Sequence, residues 1–218
     1  MKSSVRLASA PAAFGGTGFS AGATKNFSEQ RGGITMLHRH PDNHRNLVLI
    51  GYRATGKTSV GARLAQVLHR LFVDLDQVLV REAGRSVADI VAQGGWAEFR
   101  RLEKQLVARY RDGQGQVLAT GGGVVLDPDN VAALRENGII IWLTADPAAI
   151  QARLAQDQPL DANRPSLTGG NTIREVAEVL EGRAPLYQAA AQIIVDTTHN
   201  SVAQVVELVL AALKSEET

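Results

Sequence analysis

One loop of the chain holds residue types at the spacing that phosphate chemistry requires. It reads Gly51-Tyr52-Arg53-Ala54-Thr55-Gly56-Lys57-Thr58 and fits the pattern G-x-x-x-x-G-K-[ST]. In such a loop the backbone N–H groups surround a phosphate, Lys57 would reach the β- and γ-phosphates, and the Thr58 hydroxyl would bind Mg²⁺. We therefore predict that the chain binds a nucleoside triphosphate. The predicted contacts in and beside the loop are Gly51, Arg53, Ala54, Thr55, Gly56, Lys57, Thr58 and Ser59.

The segments on either side of the loop suit this function. Asn46–Ile50 is a short apolar run typical of a buried strand, and from Ser59 to His69 the apolar residues recur at helical spacing. A helix that begins at the loop directs its N-terminal partial positive charge at the phosphate. The strand and the helix together favour a phosphate site over an ordinary glycine turn.

Two aspartates, Asp74 and Asp76, follow the apolar run Leu71-Phe72-Val73, which we interpret as a second strand. Phosphoryl transfer needs a metal held by a carboxylate or hydroxyl group, and a group that orients the attacking oxygen. Two aspartates two positions apart can divide these tasks. The alternative is that one of them only caps the helix that follows.

Three consecutive glycines, Gly121, Gly122 and Gly123, follow the predicted strand Gln116–Ala119. The absence of Cβ atoms permits a close approach of the backbone to a ligand and leaves N–H groups available as donors. A tight turn is the simpler explanation, but a turn rarely needs three glycines.

Arginines could recognise an acidic acceptor or the phosphates. An arginine binds a carboxylate through two parallel hydrogen bonds, and Arg100 and Arg183 are candidates, although their spacing alone is more typical of surface ion pairs. Arg164 lies in the polar segment 157–170, which we interpret as a mobile loop. Such a loop could close over the nucleotide, bring Arg164 to the phosphates and exclude water.

Five predicted strands, which include Ile139–Leu143 and Gln192–Val195, alternate with helices after residue 45. Helices are predicted over Gln77–Glu82, Val87–Val91, Trp96–Tyr110, Asp129–Glu136, Thr172–Leu180 and Val202–Leu213. This order predicts an α/β fold, a parallel sheet with helices on both faces. In such folds ligands bind beyond the carboxyl ends of the strands, where the phosphate loop, the aspartates and the glycine run all fall.

The composition bounds the class of protein. The 218 residues leave room for one α/β domain with a sizeable core. There is no cysteine, so nothing requires an oxidising compartment, and no apolar run approaches the roughly 20 residues of a membrane span. Residues 46–218 carry 17 Lys and Arg against 20 Asp and Glu, so this body has no basic excess that would favour nucleic acid.

Residues 1–45 are predicted to form a disordered N-terminal tail, because their Gly-, Ala- and Ser-rich sequence shows no hydrophobic period. The tail is either dispensable, with a true start near Met36, or an organelle transit peptide, as its acid-poor composition with Arg and Ser would allow. His38, His40 and His44 of the tail are interpreted as free surface residues rather than as a metal site.

Taken together, these features resemble the shikimate kinase family over about residues 46–213. The phosphate loop alone marks only the wide P-loop class, and the specific signal is the ordered set of further motifs. These are Asp74-x-Asp76, then Gly95-Trp96-Ala97-Glu98-Phe99-Arg100-Arg101-Leu102-Glu103 (similar to G-E-x-x-F-R-x-x-E), Ala119-Thr120-Gly121-Gly122-Gly123, Asn163-Arg164-Pro165-Ser166-Leu167 and Arg183-Ala184-Pro185-Leu186-Tyr187 (similar to R-x-P-L-Y). The resemblance implies a three-layer α/β/α P-loop kinase fold with a five-stranded parallel sheet and a mobile lid over about residues 157–170.

The resemblance also implies a role for each matching residue. Arg100 and Arg183 would grip the shikimate carboxylate, while Asp76 would bind ring hydroxyls and act as a base. The implied residues are Asp76, Lys57 and Arg164 in catalysis, Asp76, Arg100, Gly121, Gly122, Gly123 and Arg183 in substrate binding, Thr58 and Asp74 at the metal, and Arg153 and Arg164 as further ATP contacts. Arg153 would stack on adenine.

Three positions depart from the family pattern. Ala54 replaces a glycine, which is tolerated where φ is negative. Trp96 replaces a glutamate and, like Phe99, is interpreted as core packing. Ser166-Leu167 replaces a pair of leucines. None of these changes removes a residue that the chemistry needs.

The expected function is the ATP-dependent, Mg²⁺-assisted phosphorylation of the 3-hydroxyl of shikimate, a step towards chorismate. A gluconate kinase or another small-molecule kinase of the same fold is the first alternative, and a non-enzymatic nucleotide-binding relative is the second. We expect a cytoplasmic monomer, or an organellar protein if the tail is a transit peptide, that binds neither nucleic acid nor membrane.

Overall fold

A six-stranded sheet forms the centre of the chain in a computed structural model that describes residues 5–7, 44–156 and 175–216. The strand order is β1-β6-β5-β2-β4-β3. The strands are β1 (Val5–Leu7), β2 (Asn46–Ile50), β3 (Phe72–Asp74), β4 (Val117–Ala119), β5 (Gly138–Thr144) and β6 (Ile193–Asp196). Strands β2 to β6 pair in parallel, which confirms the predicted five-stranded parallel sheet.

The sixth strand, β1, was not predicted. Residues 5–7 belong to the tail that the sequence indicates as disordered, yet they pair antiparallel with β6, with Val5 opposite Val195. An unpaired edge presents a row of N–H and C=O groups, and even a short strand can satisfy them. The structure differs from the prediction at these three residues, while most of the remaining tail and the segment 157–170 with Arg164 lie outside the described residues.

Helices cover both faces of the sheet. They are α1 (Lys57–Leu68), α2 (Leu75–Ala83), α3 (Val87–Tyr110), α4 (Pro128–Glu136), α5 (Pro147–Gln156), α6 (Val176–Ala190) and α7 (Val202–Glu216), with a 3₁₀ turn at Val124–Leu126. The two helices predicted on either side of Gly94-Gly95 form the single segment α3, whose path breaks at Gly95 (φ 68°, ψ 179°). The prediction of a glycine break there agrees with this backbone.

Helix α6 corrects the prediction most clearly. The sequence indicates a helix that ends at Leu180, whereas α6 continues through Pro185 to Ala190. A proline inside a helix removes one hydrogen bond and is normally read as a stop. Contacts of Arg183 and Tyr187 with the glycine run, described below, hold this part of the helix in place.

Alternating side chains of the central strand β2 supply both halves of the core. Leu47 and Leu49 pack with α1 and α7 on one face, while Val48 and Ile50 pack with α2, α3, α4 and α6 on the other. This alternation is the period of two expected of a strand buried on both sides. The described chain thus has three layers, and none of the helices in the described ranges is long and apolar enough to cross a bilayer.

Candidate active site

The phosphate loop connects β2 to α1, at the carboxyl edge of the sheet. Gly51 has φ 139° and Gly56 has φ 92°, backbone conformations that favour glycine. A Cβ atom on Gly51 would also meet the carbonyl oxygen of Leu143. The Nζ atom of Lys57 donates to the carbonyl oxygens of Gly51 (2.9 Å) and Tyr52 (2.8 Å), so its ammonium group lies within the loop.

Ala54 occupies a conformation that the sequence did not predict. Tolerance of this residue was expected on the condition of a negative φ, but its φ is 58°, so the condition is not met. A left-handed conformation costs a residue with a Cβ atom about 1–2 kcal/mol. Ala54 packs against the small apolar cluster that contains Tyr52, Ile150 and Leu154, and its carbonyl oxygen accepts a bond from Arg153 at 3.2 Å.

The two carboxylate oxygens of Asp74 have different partners. Its Oδ1 accepts a hydrogen bond from the backbone N–H of Gln77 and caps α2. Its Oδ2 accepts a 2.7 Å bond from the Thr58 hydroxyl. A hydroxyl and a carboxylate side by side are hard oxygen donors of the kind that Mg²⁺ prefers.

Most of the predicted nucleotide contacts line one open cavity. It is lined by Ala54, Gly56, Lys57, Thr58, Ser59 and Arg153, together with Asp74 and Asp76. Gly51 and Thr55 belong to the loop but do not line the cavity. The lining also includes residues that the sequence analysis missed, among them Gln77, Thr120, Thr197, Asn200 and Ser201. The last three follow β6, where no motif marks them.

A second cavity brings together every residue predicted to bind the acceptor. These residues are Asp76, Arg100, Gly121, Gly122, Gly123 and Arg183. The sequence analysis missed four others that also line it, Tyr52, Val87, Trp96 and Phe99. It assigned Arg53 to the nucleotide, whereas Arg53 lines this cavity and not the nucleotide cavity. Among the described residues, Asp76 alone lines both cavities.

The glycine run makes room for side chains as well as for a ligand. A Cβ atom on Gly121 would lie 2.6 Å from Glu103 Oε1 and 2.8 Å from Asp76 Oδ1. A Cβ atom on Gly123 would overlap the guanidinium group of Arg100. The carboxylates and the guanidinium group therefore explain two of the three glycines, Gly121 and Gly123.

Arg100 is held from two sides. Its Nη1 donates to Glu103 Oε2 at 2.6 Å, one helical turn along α3. Its guanidinium carbon lies 5.6 Å from the ring centre of Trp96 and 5.2 Å from that of Phe99, within cation–π range. Core packing was predicted for both rings, and they do pack in the core on the α3 side of the sheet, but they also form a wall of the acceptor cavity.

Glu103 is a site residue for which the sequence analysis gave no role, although the quoted motif ends on it. The residue is 3% exposed. Burial raises the pKa of its carboxyl group, the nearby charge of Asp76 raises it further, and the charge of Arg100 opposes both. Its place three residues after Arg100 on a helix is the signal that could have identified it.

Arg183 and Tyr187 lie four residues apart on α6 and share one acceptor. Arg183 Nη1 donates to the carbonyl oxygen of Gly122 at 3.1 Å, and the Tyr187 hydroxyl donates to the same oxygen. Tyr187 also stacks on Trp142, with ring centres 5.6 Å apart. Burial raises the pKa of Tyr187 to about 12, so the phenol stays a donor at neutral pH.

The comparison with known families identifies the family of the chain. A model of the shikimate kinase family matches residues 53–214, most of the described domain. The chain belongs to the shikimate kinase family.

Individual relatives support the family assignment. A shikimate kinase of Syntrophus aciditrophicus is 41% identical over 191 residues, which cover 84% of this chain and 97% of that protein. A shikimate kinase 2 of Yersinia enterocolitica is 40% identical over 173 residues, or 79% and 98% of the two chains. The solved structure of an Acinetobacter baumannii shikimate kinase in complex with shikimate has a TM-score of 0.74 at 28% identity, over 80% of this chain and 96% of that one.

These findings confirm the predicted family and α/β P-loop kinase fold. They also favour shikimate kinase over the alternatives of a gluconate kinase and a non-enzymatic relative. The roles of individual residues stay predictions. That of Arg164 lies outside the described residues, and the stacking of Arg153 on adenine depends on a nucleotide.

Proposed function

We propose that the chain transfers the γ-phosphoryl group of ATP to the 3-hydroxyl group of shikimate and forms shikimate 3-phosphate. As a member of the shikimate kinase family it phosphorylates shikimate with ATP. The position of Asp76 carries the proposal for this site. One carboxylate that borders both cavities can touch an acceptor hydroxyl while the phosphates lie on its other side.

The acceptor would be held by its carboxylate. Arg100 and Arg183 present guanidinium groups to the same cavity, and a guanidinium group can bind a carboxylate through two parallel hydrogen bonds. Glu103 and the two aromatic rings hold Arg100, while the bond to Gly122 holds Arg183, so both arginines are oriented before the acceptor arrives. This preorganisation lowers the entropy cost of binding.

Asp76 would orient the attacking hydroxyl and accept its proton. Phosphoryl transfer depends mainly on positioning and on neutralisation of charge, and an aligned carboxylate provides the first. Lys57 would move from the carbonyl oxygens of Gly51 and Tyr52 to the β- and γ-phosphates. The loop amides, Lys57 and Arg164 would stabilise the charge that spreads over the transferred group.

Thr58 and Asp74 would hold Mg²⁺. The Thr58 hydroxyl lies at the start of α1 beside the phosphate loop, and the Asp74 oxygen that it contacts is 2.7 Å away. Mg²⁺ commonly completes its shell with substrate phosphates and water, so two protein ligands would suffice. Bound there, Mg²⁺ would neutralise phosphate charge.

Release of ADP by purified protein with Mg·ATP tests this function. Shikimate, gluconate and buffer alone are compared as acceptors. We expect release that depends on shikimate, and release with gluconate or without an acceptor would refute the acceptor assignment. In the same assay Asp76→Asn should lower kcat by about 100-fold or more, because positioned acid–base groups contribute about 10²–10⁴. An equal loss of thermal stability and activity would contradict a catalytic role for Asp76.

A monomeric state and a cytoplasmic location, the remaining expectations from the sequence, stay predictions. Light scattering of the purified chain measures the first, and fractionation of the source cells measures the second.

A further inference from the structure

Without β1, the sheet would end at a strand edge that favours association between chains. The residues of β6 are Ile193, Ile194, Val195 and Asp196, so three of the four are apolar and β-branched. Such residues pair readily as strands, whereas lysine, proline and short length are features by which natural edge strands avoid pairing. Ile193 and Val195 are fully buried in the core cluster on the α7 side of the sheet. A bare β6 edge would therefore offer a firmly held, apolar strand to another extended segment.

The opposite edge of the sheet has the features that discourage such pairing. Its strand β3 is only three residues long, its last residue is Asp74, and α2 begins directly after it. The strand β1 is also three residues long, and its sequence Val5-Arg6-Leu7 places a charged residue at its centre, opposite Ile194. With β1 in place, both edge strands of the described sheet are short and contain a charged residue. β1 thus replaces the apolar edge of β6 with one that resists pairing.

The connection between β1 and β2 allows β1 to pair within its own chain. Because β1 runs antiparallel to β6, Leu7 lies opposite Ile193, at the edge of the sheet where β2 also begins. The strand order places β1 three positions from β2, or about 14 Å at ~4.8 Å per position. Residues 8–45 join the two strands, and a chain of that length can reach more than ~100 Å. A segment attached to its own sheet also has a much higher effective concentration than a segment of another molecule.

We propose that the outer edge of β6 is a strand-docking surface, and that Val5–Leu7 of the same chain occupies it and keeps β6 from pairing with a second copy. The surface fits an extended segment that runs antiparallel to β6 and offers backbone N–H and C=O groups. A second copy could present its own β6 in this orientation, because a two-fold axis at the edge would join the two sheets. β1 and such a copy compete for the same backbone groups. This covering role is independent of the proposed reaction.

Two proline substitutions in the full-length chain test this role of β1. Successive N–H groups of a strand point to opposite edges, so Val5→Pro combined with Arg6→Pro removes whichever N–H group of the two points at β6. The matched control, Ala12→Pro combined with Ala13→Pro, adds two prolines to the same tail outside β1. Hydrogen exchange of the β6 amides is measured by mass spectrometry at low protein concentration, with the β2 amides as an internal reference. Light scattering gives the mass of each protein over a range of concentrations.

In the wild type we expect slow exchange in β6 at every protein concentration and a mass that does not change with concentration. In the variant with Val5→Pro and Arg6→Pro, at least one β6 amide should exchange about tenfold faster or more, because its covering strand is lost, while β2 stays protected. The mass of this variant should rise with concentration as bare β6 edges pair. An excess of a peptide of residues 1–10 should restore the slow exchange and the lower mass, and the same peptide with both prolines should not. The control variant should match the wild type.

Four results would overturn the covering role of β1. Unchanged exchange of the β6 amides in the variant with Val5→Pro and Arg6→Pro would show that β1 does not cover this edge. Equally faster exchange in β2 and β6 would indicate a general loss of stability instead. Protection of β6 that depends on the concentration of the wild type would place the covering strand on another copy. A variant with exposed β6 amides whose mass stays constant at every concentration would show that β1 does not prevent association.

Discussion

Replacement of Gly123 by alanine should weaken acceptor binding and leave the fold intact. Gly123 has φ −111° and ψ 6°, so its backbone accepts an alanine without strain. The added Cβ atom would overlap the guanidinium group of Arg100. That group ends a flexible side chain which is 25% exposed, so it should move while the backbone stays in place.

The size of the effect follows from the contacts that the moved guanidinium group gives up. A hydrogen bond to a charged group contributes about 1.5–3 kcal/mol, and each 1.4 kcal/mol is tenfold in affinity. Loss of one such bond to the acceptor carboxylate should therefore raise the KM for shikimate about 10–150-fold. The KM for ATP should stay within about twofold, because Arg100 does not line the nucleotide cavity.

The assay is coupled ADP release at saturating ATP, with the Tm of each variant measured in parallel. Gly182→Ala is the matched control, because a Cβ atom there would meet nothing within 4 Å. It lies inside α6, where alanine is favoured over glycine by about 1 kcal/mol, so its Tm should rise slightly with no change in KM. An unchanged KM for shikimate in Gly123→Ala, or equal rises for shikimate and ATP, would refute the argument.

Three further changes test other features of the structure. Ala54→Gly should stabilise the protein by about 0.5–1 kcal/mol and raise its Tm by about 1–4 °C, because relief of the left-handed strain exceeds the entropy cost of glycine. His69→Gly changes the other non-glycine residue with positive φ in the described ranges (φ 53°) and should have a similar effect outside the loop, so a fall in Tm for both variants would contradict the strain. Trp96→Ala should raise the KM for shikimate about fivefold, which is the equivalent of one cation–π contact of ~1 kcal/mol. Trp96→Phe keeps an aromatic ring and should raise this KM less. Equal effects of the two changes would exclude a role for the ring. Because folding raises the pKa of Tyr187 from 10.0 to about 12, its contribution to stability is complete below pH 10 and is lost as the pH rises towards 12. Chemical denaturation at pH 9 and 11 should therefore show a larger loss for the wild type than for Tyr187→Phe, and parallel losses would contradict the assignment.

Much of the site could be predicted from the sequence because its parts are local. The phosphate loop, the aspartates after β3 and the glycine run each require particular residue types within a few positions. Their common location follows from one rule, that the carboxyl ends of parallel strands share an edge. The structure accordingly brings all six predicted acceptor residues to one cavity.

Other features depend on partners far away in the sequence. The strand β1 exists because β6 offers it an edge, and α6 passes through Pro185 because Tyr187 and Arg183 bind Gly122. The local sequence also could not predict the positive φ of Ala54, because alanine is compatible with a negative φ and the sequence does not reveal the path of the loop. In each case tertiary contacts outweigh the conformation that the local sequence prefers.

The sequence by itself therefore determined the class of fold, the family and the residues able to bind phosphate and a carboxylate, since these depend on residue type and short spacing. Only the tertiary structure decided which cavity each residue lines. Arg53 belongs to the phosphate loop by sequence, but in the structure it lines the acceptor cavity. Its guanidinium group lies 3.6 Å from Glu175, which is distant in the sequence. Direction in space is a property of the packed chain, and spacing along the sequence does not contain it.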